Sequence, residues 1–132
     1  MMISNFQNNT IMKQLILFTC MLLLPLATLQ AQDNYYLRQA KSYMNDADYY
    51  NRQAAGYERD ADYYNRQAQN YLRDVDYYTR HNNPDRARTN SRWAQEATEK
   101  ARLRMKWAQD AREKAQTRMK WAQDAMEKAN RR

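Results

Sequence analysis

The chain has few of the residues that end helices, and few cysteine or histidine side chains that could serve in catalysis or metal binding. Its 132 residues include one glycine, two prolines, one cysteine and one histidine. A lone cysteine cannot form an internal disulfide, so the fold does not depend on one. Alanine, glutamine, arginine, lysine and glutamate are frequent instead, and these residues favour helix over nearly the whole chain.

Large aliphatic residues are concentrated close to the N-terminus. Lys13 precedes an apolar run from Leu15 to Leu24, and small residues lead on to Ala31. This order is typical of a secretory signal peptide, which we assign to residues 1–31 with cleavage after Ala31. Met12 is an alternative start to Met1. The apolar run to residue 29 is shorter than the roughly 20 residues that span a bilayer, and it would anchor the chain in a membrane only if left uncleaved.

The remainder of the chain cannot build a globular core. After Ala31 it holds eleven residues of the types Leu, Ile, Val, Met, Phe and Trp, and no cysteine, because Cys20 leaves with the signal peptide. So few large apolar side chains are too few for a compact interior. We therefore expect stability to come from many shallow contacts of alanines and aromatic rings along helices.

A repeat of fourteen residues fills most of the chain after residue 32. The first type of unit begins at Tyr43, Tyr57 and Tyr71, and the second begins at Trp93, Trp107 and Trp121. Fourteen residues are two heptads, so each type of repeat keeps one stripe of side chains on the same face of a helix.

Residues 82–85 interrupt this pattern. Asn82 suits the left-handed residue that ends a helix, Asn83 suits an N-cap, and Pro84 suits the first position of a new helix. His81 is expected to cap the carbonyl end of the first helix.

We predict an all-α fold, a long antiparallel helical hairpin or alanine-rich coiled coil. A Tyr/Ala-repeat helix at 32–81 is followed by the turn and a basic Trp/Ala/Met-repeat helix at 86–132.

The heptad pattern predicts which residues line the seam between the helices. In the first helix the a positions are Ala40, Ala47, Ala54, Ala61, Ala68 and Val75, and the d positions are Tyr43, Tyr50, Tyr57, Tyr64, Tyr71 and Tyr78. In the second helix the stripe comprises Ala94, Ala97, Ala101, Arg104, Ala108, Ala111, Ala115, Arg118, Ala122, Ala125 and Ala129. A seam of alanines buries little surface, so we expect a dimer or higher bundle of hairpins more often than a single hairpin.

A second column of tyrosines lies outside the seam. Its members precede the d tyrosines and take c positions: Tyr35, Tyr49, Tyr63 and Tyr77. They are expected to be partly exposed. They form either an aromatic ladder that stacks on a ligand or a wider packing face for further helices, and the second interpretation is the commoner use of such rings.

The tryptophans of the second helix form a comparable column with cations beside it. A lysine lies seven residues after each tryptophan, and an arginine lies on the seam in each repeat. The candidate surface-binding set is Trp93, Trp107, Trp121, Lys100, Lys114, Arg104 and Arg118, and Lys128 and Arg132 are the corresponding lysine and arginine of the last repeat. We expect the seam arginines to lie over tyrosine rings of the facing helix. Tryptophan beside cations also suits a membrane surface, although an alanine face drives little insertion.

Charge is divided unevenly between the helices. Residues 33–81 hold eight acidic and seven basic side chains, whereas residues 84–132 hold seven acidic and fourteen basic ones. Asp46, Asp60 and Asp74 are expected to face cations of the second helix. The excess positive charge either attracts an anionic envelope lipid or polymer or keeps an exported protein soluble. Export argues against nucleic acid as the partner.

The sequence gives no indication of an enzyme. His81 lies in the turn, and the chain has no metal-ligand motif, glycine-rich phosphate loop or nucleophile–base pair, so we expect no cofactor and no small-molecule substrate. We interpret the chain as an exported structural or interaction protein of the periplasm, cell envelope or extracellular space, with a homo-oligomer or a helical protein as partner. A module that binds anionic envelope lipid or polymer, and a periplasmic holdase chaperone, are the alternatives.

Overall fold

Two helices account for nearly all of the structure. The computed structural model describes the backbone of residues 3–131 and the side chains of Gln32 and of residues 34–131. Helix α1 spans Ile3–Arg80 and helix α2 spans Pro84–Asn130. Between residues 3 and 131 there is no strand. The prediction of an all-α chain with two helices is confirmed.

Helix α1 begins at Ile3, well before Gln32, the first residue after the predicted signal peptide. The apolar side chains on which that interpretation rests lie outside the described residues, so it stays a prediction. Within the part of the chain that the structure describes, no helix is both long and apolar enough to cross a membrane.

The chain forms two units. The larger unit is Tyr43–Trp121, in which α1 and α2 pack antiparallel as a hairpin. The smaller unit combines Met1–Ser42 with Ala122–Arg132. In the smaller unit Ala40 and Ala125 are buried, and Lys128 Nζ lies 6.0 Å from the centre of the Tyr36 ring.

Helix α1 ends at Arg80, one residue before the predicted end at residue 81. Asn82 has a φ of 50°, the left-handed conformation in which asparagine replaces the more usual glycine. The backbone N–H of Asn83 donates to Tyr78 O at 2.9 Å, and that of Asn82 donates to Thr79 O at 3.3 Å. His81 Nδ1 lies 2.8 Å from Tyr77 O, in agreement with its predicted capping role. These bonds satisfy carbonyls that the end of a helix leaves without a partner.

Helix α2 begins with the predicted cap. The backbone N–H of Arg86 donates to Asn83 Oδ1 at 3.2 Å, and Pro84 occupies the first helical position, where it needs no N–H. A turn of only three residues between the helices leaves little freedom for one to slide along the other.

The seam consists of alanine, as the heptad pattern predicts. Each predicted seam alanine in both helices is buried, and Ala54 and Ala61 have no exposed surface. The d tyrosines are half-buried, and so is Val75, for which we had expected burial. Among the described side chains, Asn90 is the one buried residue that is not alanine. The core is therefore a thin line of small side chains.

Candidate functional site

In the unit Tyr43–Trp121, one side of the seam is lined by aromatic pairs. The ring centroids of Tyr43 and Trp121, of Tyr57 and Trp107, and of Tyr71 and Trp93 are each 5.5 Å apart. We call these six residues the aromatic edge. Pairs of this kind contribute about 0.5–1.5 kcal/mol beyond their buried area. The pairs recur every fourteen residues in both helices, so the two repeats are in phase.

Two seam arginines lie on tryptophans of their own helix. The guanidinium carbons of Arg104 and Arg118 are each 4.5 Å from the ring centres of Trp107 and Trp121. Our expectation that they would cover tyrosines of the facing helix is wrong. Residues three apart are neighbours on a helix surface, so each arginine reaches the tryptophan three positions later without crossing the seam. Arg132 lies outside the described residues.

The lysines, rather than the arginines, approach the facing tyrosines. Lys100 Nζ lies 5.8 Å from the centre of the Tyr64 ring, and Lys114 Nζ lies 5.8 Å from that of Tyr50. The cations in the candidate surface-binding set are therefore in contact with aromatic rings of the protein itself. An anionic ligand would have to compete with these contacts.

Two of the three predicted aspartate contacts are present. Asp60 Oδ2 lies 4.0 Å from Arg104 Nε, and Asp46 Oδ2 lies 3.8 Å from Arg118 Nε. Asp74 makes no ion pair with any described residue. Asn90 stands fourteen residues before Arg104, where the repeat would place an arginine, and its Nδ2 donates to Arg86 O at 2.9 Å. The aspartate–arginine pairs between the helices thus end one repeat before the turn.

The c-position tyrosines are exposed to a similar degree. Tyr35, Tyr49, Tyr63 and Tyr77 have between 52% and 55% of their surface accessible. Gln53 Nε2 donates to the Tyr49 hydroxyl at 2.9 Å, and Gln67 Nε2 is 3.3 Å from the Tyr63 hydroxyl. Their predicted partial exposure agrees with the structure, while a ligand-binding role for them stays a prediction.

Shallow clefts recur along the aromatic edge. One, of about 240 Å³, is lined by residues that include Gln53, Tyr57, Trp107 and Lys114. A second, of about 160 Å³, is lined by their equivalents fourteen residues away, Gln67, Tyr71, Trp93 and Lys100. An adjoining cleft of about 530 Å³ carries mainly charged side chains. Repeated small clefts favour a repetitive contact over one enclosed substrate site.

The opposite side of the seam carries a contact that the sequence analysis did not identify. Arg112 donates three hydrogen bonds to the Glu58 carboxylate, from Nε at 2.9 Å and from Nη2 at 2.7 and 2.9 Å. The repeat places Met44 and Leu72 at the equivalents of Glu58, and Thr98 and Met126 at those of Arg112. The sequence could therefore have revealed this ion pair, because Glu58 and Arg112 both depart from the repeat of their helix.

Exposed apolar side chains flank this ion pair. Met44 and Leu72 are fourteen residues from Glu58 on α1, and Met105 and Met119 are seven residues from Arg112 on α2, so all four share its side of the seam. We call these six residues the methionine edge: Met44, Glu58, Leu72, Met105, Arg112 and Met119.

Among the described residues, no group of three or more His, Cys, Asp or Glu side chains is placed to hold a metal ion. No protein-family model, curated protein or solved structure matches the chain significantly.

Proposed function

We propose that this protein is a non-enzymatic structural or interaction protein, exported to the periplasm or cell envelope, whose helical hairpin self-associates or scaffolds helical partners. The proposal is supported by the fourteen-residue repeat, which is in phase on both helices of the unit Tyr43–Trp121. A repeated surface suits repeated contacts with a similar helical surface.

The contrast between the seam and the surface carries this proposal. The described side chains buried in the seam are alanines and Asn90, while the tryptophans of the aromatic edge and the apolar side chains of the methionine edge keep 36% or more of their surface exposed. Burying apolar surface contributes about 25 cal/mol per Å², and alanine offers little of it. Covering the exposed rings, leucines and methionines with another helical surface would therefore add substantially to stability.

The mass of the purified full-length chain in solution tests this proposal. Sedimentation equilibrium over about a hundredfold range of concentration should show an average mass that rises to a dimer or larger, since association follows mass action. A well-folded chain that stays monomeric throughout that range, and that pulls down no helical partner, would contradict the proposal.

A second function is favoured by the exposure of the tryptophan column. Trp93, Trp107 and Trp121 are 45%, 37% and 41% exposed. The nearby Lys106 and Lys120 are exposed and form no ion pair with any described residue. A tryptophan column beside cations suits attachment to an anionic lipid or polymer surface.

Co-sedimentation with vesicles tests this second function. The full-length chain should pellet with anionic vesicles at low salt and pellet less at physiological salt, because salt screens exposed charges. Neutral vesicles offer no charge attraction, so pelleting with them should be lower and should not depend on salt. Lys106→Gln and Lys120→Gln should each pellet less, whereas Lys41→Gln on α1, which removes the same single charge, serves as the matched control. Equal pelleting on both vesicle types, insensitive to salt, would exclude it.

A further inference from the structure

The methionine edge exposes large apolar side chains. On the aromatic edge every tryptophan contacts a tyrosine ring, and two also contact an arginine. On the methionine edge Glu58 and Arg112 form an ion pair. Met44, Leu72, Met105 and Met119 there are 36%, 54%, 48% and 40% exposed. The edge thus combines four exposed apolar side chains with a central pair of opposite charges, and Asn51 and Asn65 lie at the same heptad position of α1 between them.

This edge is symmetric about its ion pair. Met44 and Leu72 lie at equal distances along α1 on either side of Glu58, and Met105 and Met119 lie at equal distances along α2 on either side of Arg112. A surface that meets a copy of itself across a two-fold axis must match its own pattern of charge and apolar groups. Across an axis parallel to the helices, each position on α1 meets the position on α2 that lies at the same level in the second copy. The requirement then falls on Glu58 and Arg112, which lie at the same level and are opposite in charge.

We propose that the methionine edge is the interface between two copies of this chain, which together form an antiparallel four-helix bundle. This inference rests on the self-association proposed above and specifies its surface. The two-fold axis runs parallel to the helices, so that α1 of each copy lies against α2 of the other.

The charges select this arrangement. With the axis parallel to the helices, the Glu58 carboxylate of each copy lies between its own Arg112 and the Arg112 of the second copy, and the four charges alternate in sign. With the axis perpendicular to the helices, Glu58 would meet Glu58 and Arg112 would meet Arg112, which is repulsive. Polar or charged groups inside an apolar helical interface commonly fix its register in this way.

The size of the edge is sufficient for a stable dimer. From Met44 to Leu72 the helix advances about 42 Å at 1.5 Å per residue. Two helices packed at 8–10 Å present a face roughly 20 Å wide. The resulting area of about 800 Å² per copy is that of a standard specific interface.

A charge exchange between copies tests the proposed interface on the full-length chain. Glu58→Arg and Arg112→Glu should each weaken dimerisation at least tenfold, since like charges then meet at the centre. Mixing the two variants should restore a dimer that contains one copy of each, because two positive charges on one copy then face two negative charges on the other. Arg52→Glu is the matched control, since Arg52 is 73% exposed at another heptad position of α1, and it should leave dimerisation unchanged.

The outcomes separate this inference from the function on which it rests. If the unmodified chain is monomeric, the proposed self-association itself fails. If the unmodified chain associates but both charge variants associate equally well, the self-association stands and the methionine edge is not its surface. Failure of the mixture to restore dimers would show that the ion pair acts within one copy only, and it would overturn the interface.

A variant that keeps the ion pair provides a second measurement. Met105→Gln with Met119→Gln should weaken dimerisation at least tenfold while helicity is retained. An unchanged dimer in this double variant would equally overturn the proposed interface.

Discussion

At the scale of single residues, alanine determines how closely the two helices approach. Ala54, Ala108 and Ala111 form a buried cluster against which Tyr57 packs. Because Ala54 has no exposed surface, a larger side chain there must displace the facing helix or adopt a strained conformation.

Ala54→Leu should therefore lower the free energy of unfolding by about 1–3 kcal/mol, the usual cost of overfilling a packed site. Ala55→Leu is the matched control, because Ala55 lies next to it but is only half-buried. Thermal and guanidinium unfolding followed by circular dichroism measure both. A leucine tolerated equally at the two positions would show that the seam is not closely packed.

At the scale of elements, the turn controls how the two repeats align. Similar units recur every fourteen residues, so sliding one helix by fourteen residues would restore most seam contacts. The caps at Asn82 and Asn83 oppose such a slip, and so does the Glu58–Arg112 pair, because the equivalent positions on either helix carry no matching charge.

Asn82→Ala should destabilise the hairpin by about 1 kcal/mol, because alanine is strained in the left-handed conformation that Asn82 adopts. Asn82→Gly should be neutral or stabilising, since glycine enters that conformation without strain. Guanidinium unfolding compares the two variants. Equal stability of both would mean that the turn does not require its left-handed residue.

The elements show which features periodicity predicts and which it does not. Ala47 and Ala101 were predictable as seam residues because a spacing of 3.5 residues places them there whatever the partner. The position of Asn82 followed from turn chemistry that is local to a few residues. The contact of Arg104 with Trp107 did not follow, because periodicity places both residues near the seam without fixing their rotamers.

The methionine edge illustrates the same limit. Averaging the repeats hides Glu58 and Arg112, since each occurs in one unit only. Their pairing also depends on the register between the helices, which the turn and the side-chain packing decide together. A search for positions that break the repeat on both helices would have identified them.

At the scale of the whole molecule, we propose that an exported hairpin with a thin seam associates with further copies of itself. Each part explains a different feature of the sequence. The proposed export would account for the apolar residues near the N-terminus, and the proposed association would account for large apolar side chains left exposed, while the seam accounts for the alanines. The three parts are joined in one claim, that exported copies meet each other.

Crosslinking in intact cells tests that claim most directly. Cells that produce the chain are treated with an amine-reactive crosslinker that does not enter the cytoplasm, and the captured species are identified by mass. We predict dimers or larger species of a chain that begins at Gln32. A chain that reacts only as a monomer, or that is protected until the cells are broken, would contradict the proposed association of exported copies.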